Sequence, residues 1–105
     1  GLSAAERVIE TISKDPAGHH RVATLAREVG ISERQLHRQF LQLVKMSPRE
    51  FILRSRIQAA AADLRNSAES IASLADKYGF CDQSAFTRQF RSVLGMTPGQ
   101  YRRTV

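Results

Sequence analysis

Apolar residues recur every three to four positions in several short stretches of the chain, and the pattern of its first half recurs in its second half. The segment VATLAREVGI at 22–31 lies forty-nine positions before IASLADKYGF at 71–80. One extra residue then enters the second copy, so that Arg-Gln-Phe at 38–40 recurs at 88–90 and Met-Ser-Pro at 46–48 recurs as Met-Thr-Pro at 96–98. We infer that one supersecondary unit is used twice.

Each copy has the pattern of a short helix, a glycine, a polar turn and a second amphipathic helix. Gly30 and Gly79 stand where the first helix of each copy should end, since glycine adopts the left-handed conformation of a helix terminus without steric cost. The fold class predicted is all-α, with helices over 3–14, 21–29, 32–44, 48–65, 70–78, 82–94 and 98–103.

Four of the predicted helix starts carry the capping-box pattern, in which two side chains satisfy free amide groups of the first turn. Proline at the first helical position, where a missing N–H costs nothing, supports two of these starts. The pairs are Ser3 with Glu6, Ser32 with Gln35, Ser47 with Glu50, and Thr97 with Gln100, and the prolines are Pro48 and Pro98.

The pattern predicts two helix-turn-helix subdomains joined by a long linker helix. We place the first subdomain at 1–46 with its second helix at about 32–44, the linker helix at 47–66, and the second subdomain at 67–105 with its second helix at about 82–94. A linker of about 18 residues spans roughly 27 Å as a helix. We therefore expect a stiff spacer that holds the two second helices near the ~34 Å of one duplex turn.

The charge of the chain favours a nucleic-acid partner. The 105 residues carry a formal net charge of +6, and no acidic residue occurs from Gln83 to Val105, a segment with four arginines. The planar guanidinium of arginine can bind phosphates and guanine edges through two parallel hydrogen bonds. Basic composition alone is weak evidence, so the repeated helical unit carries more of the argument.

Neither catalysis nor metal binding is indicated. The single cysteine, Cys81, excludes an internal disulfide and a thiolate-rich zinc site, and His19, His20 and His37 do not combine with it at a familiar metal spacing. No phosphate-binding glycine loop, nucleophile elbow or paired carboxylates occur. We expect no enzyme, no catalytic residue, no metal and no cofactor. No apolar run is long enough to cross a bilayer, so we expect no membrane partner.

The residues from about Ala4 to Arg103 resemble the DNA-binding domain of the AraC/XylS family of bacterial transcription regulators. The most specific match is LADKYGF at 74–80, DQSAFTRQF at 82–90, GMTP at 95–98, and Tyr101-Arg102. The resemblance implies two helix-turn-helix units joined by a long helix. The sequence departs from the family pattern at Arg21, where Asp or Ser would more commonly cap the second helix.

The resemblance also implies the partners. They are double-stranded operator or promoter DNA, RNA polymerase as a second contact, and an N-terminal effector-binding or dimerisation domain that these residues lack. It implies a protein of the cytoplasm, associated with the nucleoid.

The second helix of each unit should enter the major groove with its first turns toward the base edges. The stripes Leu36-Phe40-Leu43 and Phe86-Phe90-Val93 are predicted to be core. The opposite faces supply the candidates for base contact, which are Arg34, His37, Arg38, Gln83, Ser84, Thr87 and Arg88. The alternative is that these residues form only a solvated polar face. For His37 and Gln83 this is an equal alternative to base contact.

Phosphate contacts should come from helix N-termini and from nearby polar and basic side chains. The candidates are Ser32, Ser47, Arg49, Arg91, Thr97 and Arg102. For Arg49 and Arg102 a plain surface role is an equal alternative. A different function for the same fold is docking on a protein such as RNA polymerase, which salt dependence would separate from DNA binding.

Overall fold

The computed structural model describes residues 1–104, which form seven α-helices and no strand. They are α1 (Ala4–Lys14), α2 (Val22–Glu28), α3 (Glu33–Val44), α4 (Pro48–Asn66), α5 (Ile71–Lys77), α6 (Gln83–Leu94) and α7 (Pro98–Arg103). The prediction of an all-α fold with about seven helices is confirmed, and every boundary lies within one residue of its predicted position. None of the helices in this part of the chain has the length and apolar character of a membrane span.

The chain divides into two compact units, Gly1–Ser55 and the residues from Arg56 onward. The division falls inside α4, so each unit takes one half of this helix. The predicted limits of two subdomains and a separate linker at 47–66 stay a prediction.

The first unit encloses a hydrophobic core between α1, α2, α3 and the first turns of α4. Leu36 and Phe40 of α3 are fully buried, and the Phe40 ring meets the edge of Phe51 of α4 at a centroid distance of 5.7 Å. Burial of apolar side chains is the main force that holds the short helices of this unit together. The buried residues are Ala5, Val8, Ile12, Leu25, Ala26, Leu36, Phe40 and Ile52.

The second unit is packed around a row of aromatic rings. Phe80, Phe86, Phe90 and Tyr101 follow one another with centroid distances of 5.1, 5.6 and 5.6 Å. The last two pairs are edge-to-face, the arrangement that the ring quadrupoles favour. The row ties α6 to α7 and to the turn before α6, and so fixes which face of α6 remains outside.

The core prediction is wrong for Leu43, which is 49% exposed. Its neighbour Val44, four residues beyond Phe40, packs against the core instead. Leu43 lies at the edge of α1, beside Ser3 and Ala5. In the second unit the corresponding Val93 is only half-buried.

Left-handed residues end the helices of both units. Gly30 and Gly79 have φ of 76° and 81°, as predicted from the glycine pattern. The sequence interpretation did not include the ends of α3 and α6, where Lys45 and Gly95 have φ of 63° and 81°. Lys45 is therefore the one residue other than glycine with positive φ among residues 1–104, and it pays a steric cost that Gly95 avoids.

Three of the four predicted capping boxes are complete, at Ser3, Ser32 and Thr97. At the fourth, the Glu50 amide donates to Ser47 Oγ, but the Glu50 carboxylate accepts from Arg54 Nε instead of returning to residue 47. Arg21, the N-cap residue of α2, makes no side-chain capping bond, whereas Ser70, the N-cap residue of α5, accepts from the Ser73 amide.

A polar cluster joins α4 to α5 in the second unit. Tyr78 Oη donates to Asp63 Oδ2 at 2.6 Å, and Lys77 Nζ donates to the same oxygen at 2.9 Å. These two hydrogen bonds lower the pKa of Asp63 below its ordinary value of 3.8, and the bond from Tyr78 has the larger effect. Burial, followed by the hydrogen bond to Asp63, raises the pKa of Tyr78.

Candidate nucleic-acid interface

Helix α6 presents a polar face on the side away from the second core. Its buried residues are Phe86 and Phe90, and at 3.6 residues per turn Arg88 lies on the opposite side. Asp82 caps the helix, since its side chain accepts from the Ala85 amide at 2.7 Å. Because α6 begins directly after this cap, at Gln83, the polar candidates occupy the first turns of the helix. These are the turns through which a groove-binding helix contacts bases.

Six predicted contact residues of the second unit line one open concave surface. Four of them, Gln83, Ser84, Thr87 and Arg88, are base-contact candidates, and the other two, Arg91 and Thr97, are backbone-contact candidates. The surface thus combines hydroxyl and amide groups with two guanidinium groups. The structure brings these six side chains together on one surface.

Helix α3 has the matching arrangement in the first unit. Leu36 and Phe40 are buried, and the candidates Arg34, His37 and Arg38 are exposed on the other side. Ser32 caps the helix through a bond from the Gln35 amide at 3.0 Å. Each unit therefore presents a capped helix with a polar, arginine-bearing outer face.

The candidate arginines are not neutralised by neighbouring carboxylates. Among residues 1–104 the ion pairs are Arg54 with Glu50, and Lys77 with Asp63 and Glu69. None of these pairs includes Arg34, Arg38, Arg88 or Arg91. Their charges are available to an anionic partner, and their guanidinium groups keep their donors for bidentate contacts.

The backbone-contact candidates differ in their surroundings. Arg49 is exposed, and the hydroxyls of Ser32, Ser47 and Thr97 accept from amides of the first turns of α3, α4 and α7. A capping hydroxyl keeps its own hydrogen as a donor, and that of Ser32 is directed to Gln35 Oε1 at 3.2 Å.

Arg102 does not join the concave surface. Its Nε donates to the Leu64 carbonyl at 3.3 Å, and its Nη2 donates to the Glu69 carbonyl at 2.6 Å and to the Ser67 carbonyl at 3.5 Å. It holds α7 against the end of α4 and the segment before α5. The sequence interpretation missed this structural role because the partners lie 33 to 38 residues away.

A metal site does not arise in the described part of the chain, since residues 1–104 contain no group of three His, Cys, Asp or Glu placed to share an ion. The local architecture of both units is that of a helix-turn-helix motif. In each, two short helices are joined at a left-handed glycine, and the second helix presents its polar face outward.

Comparison with known proteins agrees with the assignment of a helix-turn-helix fold. A family model described as a helix-turn-helix domain matches residues 25–104. A putative AraC-like transcription regulator of Streptomyces lividans is 38% identical over 92 residues, which are 88% of this chain and 30% of that protein. The transcriptional activator AarP of Providencia stuartii is 35% identical over 78 residues, which are 74% of this chain and 58% of the relative.

Solved structures are similar over nearly the whole chain. The C-terminal domain of AraT, a response regulator from Geobacillus stearothermophilus, superposes with a TM-score of 0.91 at 25% identity and covers 99% of this chain and 87% of that one. The DNA-binding domain of the global transcriptional factor AdpA has a TM-score of 0.89 at 26% identity and covers 98% of this chain and 93% of its own.

The chain belongs to the AraC/XylS family of transcription regulators and has the tandem helix-turn-helix fold of its DNA-binding domain. It spans about 30% of the length of the AraC-like regulators that it matches at 38% and 36% identity.

Proposed function

We propose that the chain binds double-stranded DNA sequence-specifically, with α3 and α6 each entering a major groove. The observation that carries the proposal is the concave surface of the second unit, where six polar and cationic side chains predicted to contact DNA lie together. The outer faces of α3 and α6 supply guanidinium, amide and hydroxyl groups, which are the groups that recognise base edges and phosphates.

A relative supports this proposal directly. The structure of the AdpA domain is described as a complex with a target DNA, and its fold covers nearly all of this chain. Arg34, His37, Arg38, Gln83, Ser84, Thr87 and Arg88 are proposed to contact bases; Ser32, Ser47, Arg49, Arg91 and Thr97 are proposed to contact phosphates. Arg102 is assigned to the fold of the second unit because its Nε and Nη2 donate to backbone carbonyls.

The remaining partners belong to the whole regulator. We propose an N-terminal effector-binding or dimerisation domain, since the AraC-like relatives are about three times as long as the region they share with this chain. RNA polymerase is proposed as a second contact of that regulator, and the nucleoid of the cytoplasm as its place of action. No contact surface in the described residues favours protein docking over DNA binding as the main function of this chain.

Selection of binding sites from a random duplex pool tests the proposal. We expect an asymmetric site with two short sequence elements about one helical turn apart, one for each unit. Enrichment of no sequence, with binding that is equal for all duplexes, would overturn sequence-specific recognition. Enrichment of a single element would restrict it to one of the two units.

A further inference from the structure

Leu41 is an apolar residue on the polar face of α3, and it is 44% exposed. Single exposed leucines are common on protein surfaces, so exposure alone has no functional meaning. The position of this leucine on the helix is what distinguishes it.

Leu41 shares one helix face with the base-contact candidates of the first unit. It lies seven residues after Arg34, four after His37 and three after Arg38, which at about 100° per residue places all four on one side. Leu36 and Phe40, which are fully buried, define the other side. Homeodomain recognition helices contact the major groove through four positions with the same intervals.

The second unit has a cation at the corresponding position. With the repeat offset of fifty residues, Leu41 of α3 corresponds to Arg91 of α6. Arg91 lines the same concave surface as Arg88 and Ser84. The two units thus present different chemistry at an equivalent place, and the first unit lacks a hydrogen-bond donor there.

We propose that Leu41 is a specificity-determining residue that contacts the 5-methyl group of a thymine in the major groove. Of the groups that base pairs present in that groove, the thymine methyl is the apolar one. An isobutyl side chain gains free energy by covering a methyl group, whereas placing it over a phosphate or an amino group would remove water without replacing its hydrogen bonds. The proposal rests on the DNA-binding function proposed for the chain.

Deoxyuridine substitution tests the proposal, because deoxyuridine differs from thymidine only in lacking this methyl group. In the selected duplex, each thymine of the element that the first unit binds is replaced in turn. We expect one replacement to weaken binding of the wild-type chain by about fourfold, the equivalent of one buried methylene group. In Leu41→Ala the same replacement should have no effect.

Leu43→Ala is the matched control. Leu43 is as exposed as Leu41, at 49%, but lies about 200° further around the helix, at the edge of α1. This variant should keep the wild-type response to deoxyuridine. Leu41→Arg, which introduces the residue of the second unit at this position, should likewise remove the response to deoxyuridine, because it replaces the apolar side chain by a cation.

Two results would count against Leu41. One is equal binding of the wild-type chain to every deoxyuridine duplex, and the other is a fourfold loss that persists in Leu41→Ala. Either would leave the proposed function intact, since the selected sequence would still be bound. Failure of the wild-type chain to select any sequence would instead overturn the proposed function, and this inference with it.

Discussion

Arg88 combines an outward position on α6 with a side chain suited to binding a guanine edge. It lies on α6 opposite Phe86 and Phe90 and lines the concave surface. Arg88→Ala should weaken binding to the selected duplex by about 1–3 kcal/mol and relax the preference at one base pair. Gel-shift titrations with single-base variants of the duplex measure both effects.

Arg103→Ala is a suitable comparison, because it removes the same charge from an exposed residue in the last turn of α7. It should reduce affinity for all duplexes alike and leave base preference unchanged. An unaltered base preference in Arg88→Ala would contradict its assignment.

Lys45 shows how one backbone angle affects stability. It ends α3 with φ of 63°, the conformation that Gly95 adopts at the end of α6. Lys45→Gly should raise the free energy of unfolding by about 1 kcal/mol, since glycine has no Cβ to crowd the backbone in this region. Urea unfolding followed by circular dichroism measures the change.

Gly95→Ala provides the converse test. A Cβ added at Gly95 meets no atom within 4 Å, so only the backbone conformation opposes the substitution. We expect destabilisation. A neutral result in both variants would show that these helix ends relax away from positive φ.

At the scale of the element, the helices could be predicted because their signals are local. A capping serine and its partner lie three residues apart, as in Ser3 with Glu6, and each apolar stripe repeats within one helix. The polar faces of α3 and α6 follow from the same periodicity. Local patterns thus determine both the helix boundaries and most of the candidate interface.

Features that depend on distant parts of the chain could not be predicted this way. Tyr78 and its acceptor Asp63 are fifteen residues apart, and Arg102 binds carbonyls more than thirty residues earlier. The exposure of Leu43 depends on how the end of α3 lies beside the start of α1. Such contacts depend on how the helices pack together, and the periodicity of a single helix carries no information about that packing.

The uncapped start of α2 leaves room for stabilisation. Arg21 makes no capping bond, whereas Ser70 caps the corresponding helix of the second unit. Arg21→Ser should raise the free energy of unfolding by about 0.5–2 kcal/mol by satisfying a free amide of the first turn. Arg21→Ala removes the same side chain without supplying a cap, so in chemical denaturation it should show no comparable gain.

The link between α4 and α5 should depend on pH. The pKa of Asp63 is lower in the folded chain than its ordinary value of 3.8, so the carboxylate stabilises the fold above that value and ceases to do so as the pH falls through the folded pKa. Asp63→Asn should therefore be less stable than the wild-type chain at neutral pH. The difference should shrink in urea unfolding repeated at about pH 3. A difference that is independent of pH would assign the effect to packing.

For the molecule as a whole, the number of phosphates that its cations neutralise sets the response of DNA binding to salt. The chain carries +6, and its last 23 residues contain no acid. Binding to the selected duplex should weaken steeply as salt rises, with a slope of log K against log salt of about −0.9 for each phosphate neutralised. Fluorescence anisotropy at several salt concentrations gives the slope. A slope near zero would favour an apolar protein-docking function instead.

The turn before α6 has a practical consequence. The second unit contains one residue more than the first at this turn. The turn includes Cys81, the single cysteine of the chain, which is exposed and directly precedes Asp82, the N-cap residue of α6. A maleimide dye would therefore attach at one known place without any engineered substitution. Its emission, recorded during titration with duplex, would report engagement of the second unit separately from the first.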